Sequence, residues 1–169
     1  MRPLFFSLSW LGAWFIILRP PQHSYPRHIE RNQMVVTWTL TDTHLAISMQ
    51  APVGGWVAIG LNPEDRLDGT NLYMGRVQAD RAEVVEHYVL RPGDYRPLVS
   101  LGGQTAVSQV SGSQHDGSTC LHFRIDRTVF DRYHHALQQG QLLHLLMAYS
   151  LEDDFAHHSI MRTSVQIRL

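Results

Sequence analysis

Two neighbouring histidines near the end of the chain are the first residues whose side chains could do chemistry. His157 and His158 stand in the stretch DDFAHHSIMRTS, residues 153–164. Imidazole is a common metal ligand and a proton carrier near neutral pH. Neighbouring residues of a strand point to opposite faces, so a strand here would turn His158 or His157 towards a site and the other away from it. The alternative is that both are solvated loop residues beside Asp153 and Asp154.

Met74 is the second candidate, because a thioether is a soft donor that can bind haem iron. Alternatively, Met74 is a buried apolar side chain that fills space in the core. His134 and His135 form a second histidine pair, which we interpret as ordinary polar surface. The single cysteine, Cys120, cannot form an internal disulfide and lies in a strand-like run typical of a small core residue.

The motifs of several enzyme classes do not occur in the sequence. It contains no HExxH, no GxSxG, no glycine-rich phosphate loop and no zinc-ribbon spacing. We therefore expect a binding or electron-transfer module and not an enzyme.

Short extended runs separated by turn residues follow one another from residue 33 onwards. They are rich in branched and aromatic residues, and they predict strands at 34–40, 44–50, 55–61, 71–78, 82–90, 105–114, 118–125, 142–150 and 164–169. Residues 128–140 are the one plausible helical turn. Many short strands without long helices indicate an all-β fold, an antiparallel sandwich or barrel, in one domain over about residues 30–169.

Composition limits the classes of function. The 169 residues are 44% hydrophobic and 17% charged, with a net charge of -1, which is the profile of one ordinary soluble domain. The basic residues are all arginine, scattered along the chain and balanced by acids. They form no stripe for phosphate groups, so we expect no nucleic-acid partner.

The first residues differ from the rest of the chain. Arg2 precedes an apolar run from Leu4 to Leu18, and a proline-rich polar segment follows. The run is shorter than the ~20 residues of a spanning helix and matches the core of a secretory signal. The sequence therefore predicts a signal peptide or an uncleaved N-terminal anchor at residues 1–24, and a periplasmic or secreted domain.

Several segments together resemble the DOMON domains, the extracytoplasmic β-sandwich modules of cellobiose dehydrogenase cytochromes, dopamine beta-monooxygenase relatives and ferric reductase-like proteins. The most specific segment is GWVAIGLNPEDRLDGTNLYMGRV, at 55–77. Others follow in family order: EVVEHYVLRPG (83–93), DGSTCLHFRI (116–125), LLMAYS (145–150) and HHSIMRTSVQIRL (157–169). The resemblance covers essentially the whole chain after residue 32 and implies a DOMON-type antiparallel sandwich.

The resemblance also implies a site for b-type haem. In the DOMON members that bind it, one methionine and one histidine hold the iron, and the histidine stands a few residues before a terminal strand. His158, four residues before Arg162, is the better match, and His157 is the adjacent alternative. Arg162 or Arg76 would then lie near the haem propionates.

The methionine departs from the family pattern. In several haem-binding members it stands two residues before the turn glycine, and here the residue two before Gly69 is Leu67, which cannot bind iron. Met74, five residues after Gly69, would take its place. Methionine–histidine ligation leaves no open iron position, so the implied function is electron transfer with a membrane redox partner.

Two other interpretations remain. The first is a carbohydrate or other small-ligand module without haem, in which Trp56, Tyr73 and Tyr88 would be stacking surfaces. The second is a metal-dependent enzyme that uses the histidine pair together with Asp153 or Asp154. The fold alone does not decide between these functions.

Overall fold

The computed structural model describes residues 27–129 and 131–169. The predicted signal or anchor at residues 1–24 lies outside them. The described residues form β1 (Arg27–Arg31), β2 (Met34–Leu40), β3 (His44–Ala51), β4 (Val57–Asn62), β5 (Asn71–Gln78), β6 (Arg81–Arg91), β7 (Asp94–Pro97), β8 (Val107–His115), β9 (Ser118–Asp126), β10 (Leu142–Tyr149) and β11 (Met161–Arg168). A short 3₁₀ helix, Leu98–Leu101, follows β7.

The strands form two antiparallel sheets. Five strands lie in the order β1-β2-β3-β9-β8, and six lie in the order β11-β10-β4-β5-β6-β7. Neighbouring strands are antiparallel in both sheets. The predicted all-β antiparallel sandwich is confirmed.

Alternating apolar residues hold the two sheets together. Because successive side chains of a strand point to opposite faces, every second residue reaches the space between the sheets. The core includes Leu45, Ile47 and Met49 of β3, Leu121, Phe123 and Ile125 of β9, and Leu143, Leu145 and Met147 of β10. All six residues of β4 are buried, so this strand is covered on both of its faces.

The predicted helical turn at 128–140 is wrong. The described part of this segment, 128–129 and 131–140, has turns and irregular backbone and no helix. Its backbone groups bond to another element instead: Tyr133 O accepts from Nδ2 of Asn71 at 2.6 Å, and the N–H of His135 donates to Oδ1 of Asn71 at 3.1 Å. Asn71 of β5 thus satisfies two backbone groups that a helix would otherwise pair within the segment.

Candidate ligand-binding site

The six-stranded sheet has a second apolar face, turned away from the sandwich core. On this face Ala148, Ala58 and Met74 are neighbours across β10, β4 and β5. They belong to a separate buried cluster with Trp56 and Leu72. Ala58 and Ala148 carry only a methyl group, whereas their neighbours are larger, so the centre of the face is a depression.

Loops build walls around this depression and turn it into a cavity of about 550 Å³. Small-molecule sites typically have volumes of roughly 300–1,000 Å³. One wall is the turn between β6 and β7, with Tyr95, and another is the loop between β10 and β11, residues 150–160. Leu67 and Thr70 close a third side. The cavity therefore has a sheet floor and a loop wall.

Side chains of β7 and β5 help to fasten the 150–160 loop to the sheet. The hydroxyl of Tyr95 donates to the carbonyl of Phe155 at 2.5 Å. The guanidinium of Arg76 lies 4.6 Å from the centre of the Phe155 ring and donates to the carbonyl of Asp153 at 2.9 Å. Such bonds are individually worth about 1 kcal/mol, and together they give the histidine pair a defined position.

Both His157 and His158 line the cavity. The pair lies in the irregular 150–160 loop, where strand alternation does not apply, so the expectation that one of the two rings points away stays a prediction. Nδ1 of His157 is 3.4 Å from Oδ2 of Asp154. The carbonyl of His158 accepts from Oγ of Ser150 at 3.1 Å. Both residues are exposed, as the loop interpretation expects, but they border a cavity and not open surface.

The loop aspartate beside His157 is held ionised. The backbone N–H of Ala156 donates to Oδ1 of Asp154 at 2.9 Å. This bond, with smaller effects of the nearby His157 and Arg76, lowers the pKa of Asp154 in spite of the opposing effect of desolvation. The carboxylate therefore stays available to His157 throughout the neutral range.

The four site residues that the resemblance indicates lie around one cavity: Met74, His158, His157 and Arg162. Met74 is 2% exposed and lies on the floor. Leu67, at the family methionine position, also lines the cavity and supplies only an apolar side chain. Arg76 binds Glu83 at 2.9 Å and the 150–160 loop, and it does not line the cavity, so Arg162 is the arginine that remains at the site.

His87 is a cavity residue that the sequence reading missed. It is 4% exposed and lies on β6 beside Leu72 of β5. Burial lowers the pKa of His87 despite the opposing effects of a hydrogen bond with Val85 O and the charge of Glu86. The alternation of Val85, His87 and Val89 along β6 is the sequence signal that could have found it.

The second histidine pair is not the polar surface that we expected. The side chain of His134 is 5% exposed; its Nε2 lies 3.0 Å from Oε1 of Glu86, and its Nδ1 lies 2.8 Å from Oδ1 of Asp131. Nε2 of His135 lies 2.6 Å from the carbonyl of Gly69. Glu86 and Gly69 are distant from the pair in the sequence, so the local pattern does not indicate these contacts.

The two carboxylates favour the protonated form of the His134 ring. Hydrogen bonding with Glu86 raises the pKa of His134, and Asp131 adds to this effect, while burial opposes it. Burial alone would raise the pKa of Asp131, but the backbone N–H groups of Tyr133 and Gln104, together with His134, lower it. The cluster is a structural ion pair that joins β6 to the 128–140 segment.

The three aromatic residues considered as a stacking surface do not act together. Trp56 lines the cavity, and its indole Nε1 is buried without a hydrogen-bond partner in the described part of the chain. Tyr73 lies in the core between the sheets, 5.8 Å from Phe123. Tyr88 packs on Tyr133 at 5.1 Å. A stacking surface made of all three is therefore wrong.

The described residues contain no group of three or more His, Cys, Asp or Glu side chains that could hold a metal ion. Across 27–129 and 131–169 there is also no helix long and apolar enough to cross a membrane.

Residues 30–150 match the DOMON domain family, and the chain belongs to that family. The resemblance seen in the sequence is confirmed. The matched range ends before the 150–160 loop is complete, so the histidine pair lies beyond it.

Individual relatives are distant. MOXD1 homolog 2 of Drosophila melanogaster is 24% identical over 118 residues, which are 70% of this chain and 15% of that protein. The chain thus spans a small part of this relative's length.

Two solved structures are also similar. The cytochrome domain of Myriococcum thermophilum cellobiose dehydrogenase matches with a TM-score of 0.61 at 12% identity, over 85% of this chain and 81% of that chain. A family 9 carbohydrate binding module from Caldicellulosiruptor kristjanssonii, in complex with cellotriose, has a TM-score of 0.44 at 10% identity, over 82% and 69% of the two chains. The first likeness shows the fold, and the second is too weak to support an argument.

Proposed function

We propose that this DOMON domain binds b-type haem in the cavity and transfers electrons outside the cytoplasm. The observation that carries the proposal is the arrangement of donors around one apolar space. The sheet floor offers Met74 and His87, and the loop wall offers His158 and His157. Thioether and imidazole are the side chains that fill the axial positions of haem iron in electron-transfer proteins.

The remaining lining fits the parts of such a cofactor. Leu72, Ala58 and Leu146 present apolar surface to a flat ring. Arg162 reaches the same cavity from β11 and offers a guanidinium to a carboxylate group. The donor set, the apolar floor and the arginine therefore suit a ligand that is apolar in its body and acidic at its edge.

Haem would supply one-electron chemistry, and the chain's own residues would control it. One donor from the floor and one from the loop would hold the iron, so the domain would carry electrons without catalysing a reaction. Phe155 and Tyr95 at the loop and turn would limit the access of water. The predicted N-terminal signal or anchor would place the domain in an extracytoplasmic chain with a membrane redox partner, which fractionation of cells expressing the full chain would test.

Titration of the purified chain with hemin tests the proposal. We expect an intense Soret band that saturates at one hemin per chain. Ala58→Leu should remove most of this binding, because the larger side chain fills the centre of the floor. The same exchange at Ala46, which is half-buried on the other sheet, is the matched control. A chain that takes up no hemin contradicts the proposal.

Variants of the histidine pair test the loop donor. His158→Ala should abolish or shift the low-spin absorption bands, whereas His157→Ala should leave them nearly intact, because His157 already contacts Asp154. Equal loss in both variants would instead indicate that both histidines are required, and unchanged bands in both would indicate that either ring can serve.

A second candidate function is the binding of a carbohydrate or another small polar ligand without haem. Its support is Trp56, whose buried indole N–H lacks an acceptor in the described part of the chain and whose ring borders the cavity. Aromatic rings of this kind combine an apolar face with one donor. Binding of an oligosaccharide that Trp56→Phe weakens, by a chain that shows no Soret band after hemin addition, would favour this function.

A further inference from the structure

Among the described residues, His87, His157 and His158 bring imidazoles to the cavity, and the surroundings of His87 fix the orientation of its ring. The ring of His87 meets Tyr95 at 5.6 Å and Phe155 at 6.0 Å between centres, with interplanar angles of 74° and 83°. His87 is buried, while His157 and His158 are exposed. Two edge-on aromatic contacts hold its ring plane, so little side-chain freedom remains to be lost when a ligand binds.

The hydrogen bonding of His87 leaves one nitrogen as a free donor atom. Nδ1 lies 3.1 Å from the carbonyl of Val85. A carbonyl oxygen only accepts, so Nδ1 carries the proton and donates it. Nε2 then keeps its lone pair, and no residue in 27–129 or 131–169 is its hydrogen-bond partner.

This pattern is the one that protein metal ligands show. Histidines that bind a metal generally donate the second ring N–H to a backbone carbonyl or a carboxylate, which orients the ring and raises its basicity. Met74 has no comparable arrangement, because its neighbours on the floor are the apolar Trp56, Ala58 and Leu72. A buried methionine among such neighbours is ordinary filling.

We propose that His87 is the iron ligand on the sheet side of the cavity, and that His158 of the loop is its counterpart, so that two imidazoles hold the haem. The inference rests on the proposed haem binding and names the donor on the floor. Met74 would then supply only an apolar contact on the cavity floor. Since thioether ligation favours ferrous iron, two imidazoles give a lower reduction potential than a methionine–histidine pair.

The wild-type chain loaded with hemin gives the first test. Absorption and electron paramagnetic resonance spectra of the ferric form should show low-spin iron without the near-infrared charge-transfer band of a thioether ligand. Met74→Leu should keep the low-spin bands. His87→Gln, which retains a donor for Val85 O, should lose them and gain high-spin bands, and added imidazole should restore the low-spin form.

His115→Ala is the matched control, because His115 is an exposed histidine at the end of β8 in the other sheet. Circular dichroism and melting curves of the unloaded variants show whether His87→Gln remains folded. If it does not, the wild-type spectrum and Met74→Leu still decide the ligand.

The outcomes separate the two proposals. A thioether band in the wild-type spectrum, or loss of the low-spin bands in Met74→Leu, overturns the role of His87 and leaves haem binding in place. Unchanged low-spin bands in a folded His87→Gln variant also overturn the role of His87 and leave haem binding in place. A wild-type chain that takes up no hemin overturns both proposals.

Discussion

The two histidine pairs of this chain have similar local sequences and opposite surroundings. His134 lies between two carboxylates and its side chain is 5% exposed. The side chain of His157 is 58% exposed and meets one carboxylate, at 3.4 Å. The first pair lies against two carboxylates and a backbone carbonyl of the protein, whereas the second borders a cavity. The role of an imidazole thus depends on whether the fold has already used its nitrogens.

The same difference predicts which histidine pair contributes to stability and which contributes to ligand binding. Removing a buried, paired charge leaves its partner without compensation, which is costly. Removing an exposed imidazole costs little, because water takes its place. The first pair should therefore be sensitive in unfolding experiments and the second in binding experiments.

The largest expected effect is on the His134 cluster. His134→Ala leaves the carboxylate of Glu86, which is 1% exposed, buried without its charged partner. We expect a loss of about 3–5 kcal/mol in the free energy of unfolding, measured by urea denaturation. His157→Ala should change it by less than about 0.5 kcal/mol. Similar losses in the two variants would contradict the comparison.

The pH dependence of stability should distinguish His134 from His87. Because the folded-state pKa of His134 is raised, chiefly by Glu86, its contribution is fully present below the unfolded pKa of about 6.5 and is lost as the pH rises through the folded pKa. The advantage of the wild-type chain over His134→Gln should therefore shrink on going to higher pH.

His87 should behave in the opposite way. Burial lowers its folded-state pKa, so its contribution is present above about 6.5 and is lost as the pH falls through the folded pKa. Midpoints of urea unfolding across the pH range, measured for the wild type, His134→Gln and His87→Gln, check both slopes. Parallel curves for all three chains would mean that neither ring titrates differently in the folded state.

The smallest expected effect concerns the 150–160 loop. Tyr95→Phe removes the hydroxyl that donates to Phe155 O and keeps the ring that packs on His87. We expect a loss of about 0.5–1.5 kcal/mol in stability and faster hydrogen exchange within the loop, measured by mass spectrometry. Exchange in the 128–140 segment should not change. Unaltered exchange in the loop would indicate that the Tyr95 hydrogen bond does not restrain it.

The strand pattern could be predicted from the sequence because alternation is a local property. Residues 71–78 were predicted as a strand and form β5 with those bounds, and the run at 34–40 forms β2. The short strands β1 and β7 were missed, since four or five mostly polar residues carry little periodicity. The helical turn at 128–140 failed for another reason: its backbone partner, Asn71, is distant in the sequence.

The candidate site was predicted in part. The sequence, through its family resemblance, indicated Met74, His157, His158 and Arg162, and the structure brings these residues to one cavity. The sequence by itself determined the strands and the candidate donors, because alternation and residue type can be read along the chain. Only the tertiary structure decided three other features, because each depends on distances between residues far apart in the sequence. They are the cavity at Ala58 and Ala148, the burial of His134 beside Glu86, and the free nitrogen of His87.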